Sequence, residues 1–168
     1  MTWTAPEAEI VFGATAADER TMLAGYLDWH RSVLLHKCAG LTGEQLAERS
    51  VEPSSLSLLG LIRHMAKVER IWFRERFANL PVERLHAGTD TDFDQADPAR
   101  AAEDYAQLLE ERRQADEIAA RASLEDTFTF DENVFSLRFV YLHLIQEYAR
   151  HNGHADLLRE RIDGVTGA

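Results

Sequence analysis

Between Leu137 and Leu158 the chain repeats at alternating steps of three and four, through Leu137, Val140, Leu144, Glu147, His151, His154 and Leu158. That spacing places all seven side chains on one stripe of an α-helix, the stripe that faces the core of a helical bundle. The segment is read as one long helix from about Ser136 to Asp163, with Gly164 as its stop. No strand-type alternation of more than a few residues competes with helical spacing elsewhere, so the chain is expected to be all-α.

Three further segments carry the same periodicity. The first runs from about Ala16 to Cys38, with Asp18 and Glu19 in its opening turn and the stripe Leu23, Leu27, His30 and Leu34. Thr42 and Gln45 then have capping-box spacing and open a short helical turn. The second runs from about Leu56 to Ala78. Leu58, Leu61, Met65, Val68 and Trp72 lie on its apolar side, and Arg63, Lys67, Arg70 and Arg74 on its polar side. The third begins at the Asp97-Pro98 cap and continues to about Arg121 over Ala101, Tyr105, Leu108, Ala115 and Ala119. Residues 79–97 and 123–135 read as long loops, the first of a length that often covers a site. Thr127-Phe128-Thr129-Phe130 in the second is read as loop packing two aromatics rather than as a strand.

At 168 residues one core can bury roughly 70% of the surface of the unfolded chain, so residues 1–168 are expected to form a single domain. The 29 acidic residues against 18 basic ones give a net charge of −11, which disfavours nucleic acid and anionic membranes as partners. No apolar run approaches the roughly 20 residues of a membrane span, and the first ten residues lack the basic and apolar regions of a signal peptide. A cytoplasmic location is expected. Cys38 is the only cysteine, which excludes an intrachain disulfide and any cysteine-cage metal site. A metal would have to use histidine and carboxylate.

The last helix supplies such residues where leucine is expected. An unpaired buried carboxylate costs several kcal/mol or takes up a proton, so Glu147 needs a partner. Arg150 or His151 on the same helix could serve, with Glu147 at the edge of the stripe. Alternatively, Glu147 and His151, at i and i+4, share one face and could offer an oxygen and a nitrogen to one cation. His143 and His151 lie about 12 Å apart along the helix and cannot share it. A third ligand must then come from another helix. His36 falls off its stripe and His86 lies in a loop, whereas His30 and His64 lie in or beside apolar stripes. Of these two, His64 occupies the more rigid backbone position.

The segments Leu56-Ser57-Leu58-Leu59-Gly60-Leu61-Ile62-Arg63-His64-Met65-Ala66-Lys67-Val68-Glu69-Arg70-Ile71-Trp72-Phe73 and Glu147-Tyr148-Ala149-Arg150-His151-Asn152-Gly153-His154-Ala155-Asp156-Leu157-Leu158-Arg159-Glu160 resemble the DinB-like metal-binding four-helix bundles, and within them the mycothiol S-transferase branch. Weaker similarity in Leu27-Asp28-Trp29-His30-Arg31 and Gly40-Leu41-Thr42 extends the match over nearly the whole chain. The resemblance implies an up-down-down-up four-helix bundle with long connecting loops. Many members of the superfamily hold a metal with three histidines, one on the second helix and two at i, i+4 on the last. The first matches His64 and the last His151. The remaining position is Glu147, a departure that is similar to the His, Glu, His set of mycothiol-dependent maleylpyruvate isomerases.

The resemblance therefore implies a divalent metal on His64, Glu147 and His151, with zinc first and nickel or iron as alternatives. It also implies mycothiol as a thiol co-substrate that the metal activates for attack on a small-molecule electrophile, as in detoxification. The reactive sulfur would then arrive with the cofactor and not from Cys38. Arg31, Arg150 and Arg159 are candidates for carboxylates of the thiol or its acceptor, since guanidinium forks suit bidentate pairing. His154 is read as supporting the ligands or lining the pocket, and His143 as a neighbour of the site without a role. A homodimer is expected, since related bundles commonly pair. Two other functions fit the same residues. One is a metal-dependent hydrolase using activated water, with His154 or His30 as base. The other is a non-enzymatic dimeric bundle that keeps the metal for stability.

Overall fold

In a computed structural model, residues 2–167 are described. Helix α1 spans Glu19–Cys38, with the Asp18 side chain accepting from the Thr21 N–H at its start. Helix α2, Gly43–Ala47, opens on a capping box in which Thr42 and Gln45 each satisfy the other's backbone N–H. Helix α3 covers Leu58–Glu69 behind the Ser57 cap, and the chain then widens into a π-helical stretch, Arg70–Phe77. The short helix α4 is Thr91–Asp94. After a single 3-10 turn, Pro98–Arg100, helix α5 runs Ala101–Ala120. Strands β1, Thr127–Phe130, and β2, Asn133–Ser136, precede helix α6, Leu137–Asp163, which ends on Gly164 in the left-handed conformation.

The structure is mostly helical. Both regions read as loops are corrected: residues 79–97 hold helix α4, and at residues 127–136 Thr127 pairs with Ser136 and Phe130 with Asn133 in an antiparallel hairpin. Four-residue strands are too short for alternation to stand out in a sequence. Their pairing rests on aromatic contacts, Phe128 with Phe135 at 5.5 Å and Phe77 with Phe128 at 6.0 Å between ring centroids.

Helix α1 packs on α6 and α3 packs on α5, with α3 also touching α6. The predicted stripe of α6 is buried except at His154, which is half-buried, with Leu137, Val140 and Leu144 fully inside and Leu158 nearly so. These residues join Leu27, Leu34, Leu58, Leu61, Met65 and Leu108 in one core.

The polar side of α3 is also covered. Arg63 donates to Asp104 of α5 at 3.1 Å, while Arg70 and Arg74 converge on the fully buried Glu111 at 2.6 and 3.0 Å. The contact of α3 and the π-helical stretch after it with α5 is therefore an ion-paired interface. Removing one member leaves the other charge buried, a change that costs about 3–5 kcal/mol.

A second buried network joins the helices at mid-height. Arg31 of α1 makes a bidentate pair with Glu69 of α3, both contacts at 2.8 Å. The Tyr148 hydroxyl of α6 donates to Glu69 at 2.9 Å and accepts from Arg112 of α5 at 3.1 Å. Four helices are thereby fixed in one register beside Glu147. Among the described residues no helix is long and apolar enough to cross a membrane.

Candidate metal centre

His64 on α3 and Glu147 and His151 on α6 meet on the inner faces of the two helices. The Glu147 Oε2 atom lies 3.5 Å from His151 Nε2 and 3.9 Å from His64 Nε2. One ligand-type atom from each residue lies within 4.8 Å of the others. The two imidazole rings are 4.6 Å apart at their centroids. Glu147 and His151 are buried, as the register of α6 demands.

The other ring nitrogens are spoken for. His64 Nδ1 is 2.8 Å from Asp92 Oδ2, so the carboxylate holds the proton at Nδ1 and leaves the Nε2 lone pair facing Glu147. His151 Nδ1 is 3.2 Å from His154 Nδ1, and one of the two donates. Both inward Nε2 atoms, of His64 and of His151, are buried without a hydrogen-bond partner. Two orphaned imidazole nitrogens facing one carboxylate form the donor set of a borderline divalent cation. The residues present fit that group.

The electrostatics keep Glu147 and His151 in the forms a cation needs. Burial pushes the His151 imidazole down to about 4, and the neighbouring His64 adds to the shift, so His151 is neutral near pH 7. Burial alone would raise the Glu147 carboxyl, but the Arg150 hydrogen bond, the Arg150 charge and the flanking His143 and His151 hold it below the ordinary value. Arg150 Nη2 donates to both Glu147 oxygens, at 2.7 and 2.6 Å. For Asp92, burial is likewise outweighed by the His64 hydrogen bond and the Lys67 charge, with Lys67 Nζ 3.6 Å away.

Asp92 is the residue that spacing does not single out. It sits in α4, inside the loop of residues 79–97, and is buried. Gly60 makes that position possible: a Cβ there would lie 3.0 Å from the Phe93 ring and 3.2 Å from Ser57 Oγ. The close approach lets Phe93 stack on His64 at 5.0 Å and presents Asp92 to the imidazole. An Asp in a long loop opposite a core histidine was the available signal, but nothing local says which histidine it serves.

Some of the other candidates are engaged elsewhere, and some border the trio. Arg31 spends its donors on Glu69, Asp28 and Asp116 inside the helix network. Arg159 donates to the carbonyls of Lys37 and Ala39, closing the C-terminal end of α1. His30 is half-buried, and its carbonyl accepts from the Asn152 amide at 3.0 Å. His36 is exposed and hydrogen-bonded to Ala8, while His86 is half-buried. Arg150 and His154 border the trio. His143 lies 3.9 Å from Glu147 Oε1 and against Trp72, with ring centroids 4.3 Å apart.

A mostly helical protein with two imidazoles and one carboxylate converging between helices belongs to the class that can carry an open metal centre. More particularly, the mycothiol-S-transferase family model matches residues 22–164, and the chain belongs to that family. No curated protein and no solved structure matches it.

Proposed function

We propose that the protein is a metal-dependent mycothiol S-transferase that conjugates the thiol with a small electrophile. The observation that carries this reading is the pair of orphaned Nε2 atoms, of His64 and His151, facing the Glu147 carboxylate. His64, Glu147 and His151 would hold the cation, with zinc the first choice and nickel or iron compatible with the same donors. A bound divalent cation supplies positive charge that favours thiolate over thiol at neutral pH.

The chain's own residues prepare that chemistry. Asp92 keeps the proton at His64 Nδ1, burial keeps His151 neutral, and Arg150 offsets the Glu147 charge. Phe93 stacks on His64, and Trp72 packs on His143 beside Glu147. Cys38 is buried, and burial pushes its thiol up to about 12, so the attacking sulfur comes with the cofactor. In the transfer, that sulfur forms a C–S bond to the electrophilic carbon as that carbon gives up a conjugated π bond or its bond to a leaving group, and the thiol proton ends on the atom that takes the electron pair.

The same reading includes a single DinB-like domain with an up-down-down-up four-helix bundle, supported by the pairing of α1 with α6 and α3 with α5. It includes a cytoplasmic location and a homodimer, for which the exposed Leu142 and Leu157 of α6 offer apolar surface. Calorimetric titration of mycothiol into the zinc-loaded protein tests the function, and saturable binding that chelation abolishes is expected. Absence of binding to metal-loaded protein would overturn it. Turnover that needs metal but no thiol would select hydrolysis instead. Unfolding on chelation with no thiol bound would select a structural metal.

A further inference from the structure

Arg76 differs from the other sheltered arginines of this chain. Each of those that is buried or half-buried reaches an acidic side chain, a carbonyl or a hydroxyl, as Arg31, Arg63, Arg70, Arg74 and Arg112 do. Half-buried Arg76 has no acidic oxygen within salt-bridge distance and makes no hydrogen bond among the described residues, and its Nε is buried without a partner. Its guanidinium lies instead between two rings, 4.3 Å from the Trp72 centroid and 3.9 Å from the Phe130 centroid. Nearby Glu75 is taken by Arg84. Cation–π contacts hold such a group in place without neutralising it.

The clamp is continuous with the metal centre. Trp72 is the ring against His143, and His143 borders Glu147. Phe139 packs on Trp72 at 5.7 Å and on His143 at 5.8 Å, and is partly exposed, as is Phe130 of the hairpin. An open aromatic wall therefore leads from the trio to an unpaired, pre-positioned guanidinium. Such a fork suits a carboxylate.

We infer that Arg76, clamped between Trp72 and Phe130, is the anion-binding end of the electrophile's subsite, which takes planar aromatic or conjugated carboxylic acids. That the ligand is an electrophile rests on the transferase reading above; that its far end is anionic rests on Arg76. The β1–β2 hairpin becomes a specificity element, since it supplies one face of the clamp.

The test uses cinnamate and its uncharged amide as unreactive probes, titrated into the zinc-loaded full-length protein by calorimetry. The wild type is expected to bind the acid at least about tenfold more tightly than the amide. Arg76→Gln should lose that preference with metal content unchanged, and Arg76→Lys should keep part of it. Equal affinity of the wild type for acid and amide would overturn the subsite even if Arg76→Gln fails to fold. A full acid preference in folded Arg76→Gln would overturn it too and leave Arg76 only as the pin of the hairpin. Loss of mycothiol binding with the acid preference intact would remove the transferase reading and uphold the anion site.

Discussion

The Nδ1 atom of His64 lies 2.8 Å from the Asp92 carboxylate, and this contact across the α3–α4 approach decides which nitrogen of His64 faces Glu147. Carboxylates in this position orient the imidazole and raise its basicity, and their removal typically weakens metal binding about 10- to 100-fold. Asp92→Asn should show that loss in a competition titration against a chromophoric chelator, with helix content unchanged. Wild-type affinity in this variant would dismiss the contact as incidental.

Burial lowers the pKa of His30, His86, His143 and His151, the last to about 4. A lowered histidine pKa means that the unfolded chain binds more protons than the folded one between about pH 4 and 6.5, so stability rises with pH across that window. The metal-free protein should melt at progressively lower temperature as pH falls from 6.5 to 4.5, and His151→Gln should flatten part of the slope. A melting temperature that stays level or climbs on acidification would contradict the buried neutral imidazoles.

With its thiol pushed up to about 12, Cys38 holds roughly one thiolate in 10⁴ at pH 8. Iodoacetamide should leave it unmodified in the native protein and alkylate it in denaturant, as read by mass spectrometry, and Cys38→Ala should retain thiol transfer. Rapid native labelling would return Cys38 to the list of nucleophiles.

Glu69 is fully buried and receives Arg31 and Tyr148. Glu69→Ala leaves the Arg31 charge without its bidentate partner and should cost about 3–5 kcal/mol in urea unfolding. Tyr148→Phe, which removes only the hydroxyl, should cost about 1–3 kcal/mol. A Glu69→Ala protein as stable as the wild type would mean that the network does not hold the four helices together.

What was legible in the sequence had a local cause. The α6 register follows from helical period, and the caps at Thr42, Asp97 and Gly164 from backbone chemistry within a few residues. The DinB-like resemblance named His64, Glu147 and His151 together, and the structure places them within reach of one cation. The rest depended on partners distant in sequence. The arginine side of α3 reads as polar, and only Asp104 and Glu111 of α5 show it to be an internal face. Arg31 reads as a candidate for a ligand carboxylate, and only Glu69 against it shows the structural role. Asp92 and the hairpin take their meaning from His64, Trp72 and Arg76, which no spacing rule connects to them.

The central claim is that His64, Glu147 and His151 hold one divalent cation, and the most direct measurement is the zinc-to-protein ratio after loading and gel filtration. The wild type should retain about one zinc per chain, and Glu147→Ala, with its fold intact by circular dichroism, should retain essentially none. Full zinc occupancy in Glu147→Ala, or none in the wild type, would contradict the account.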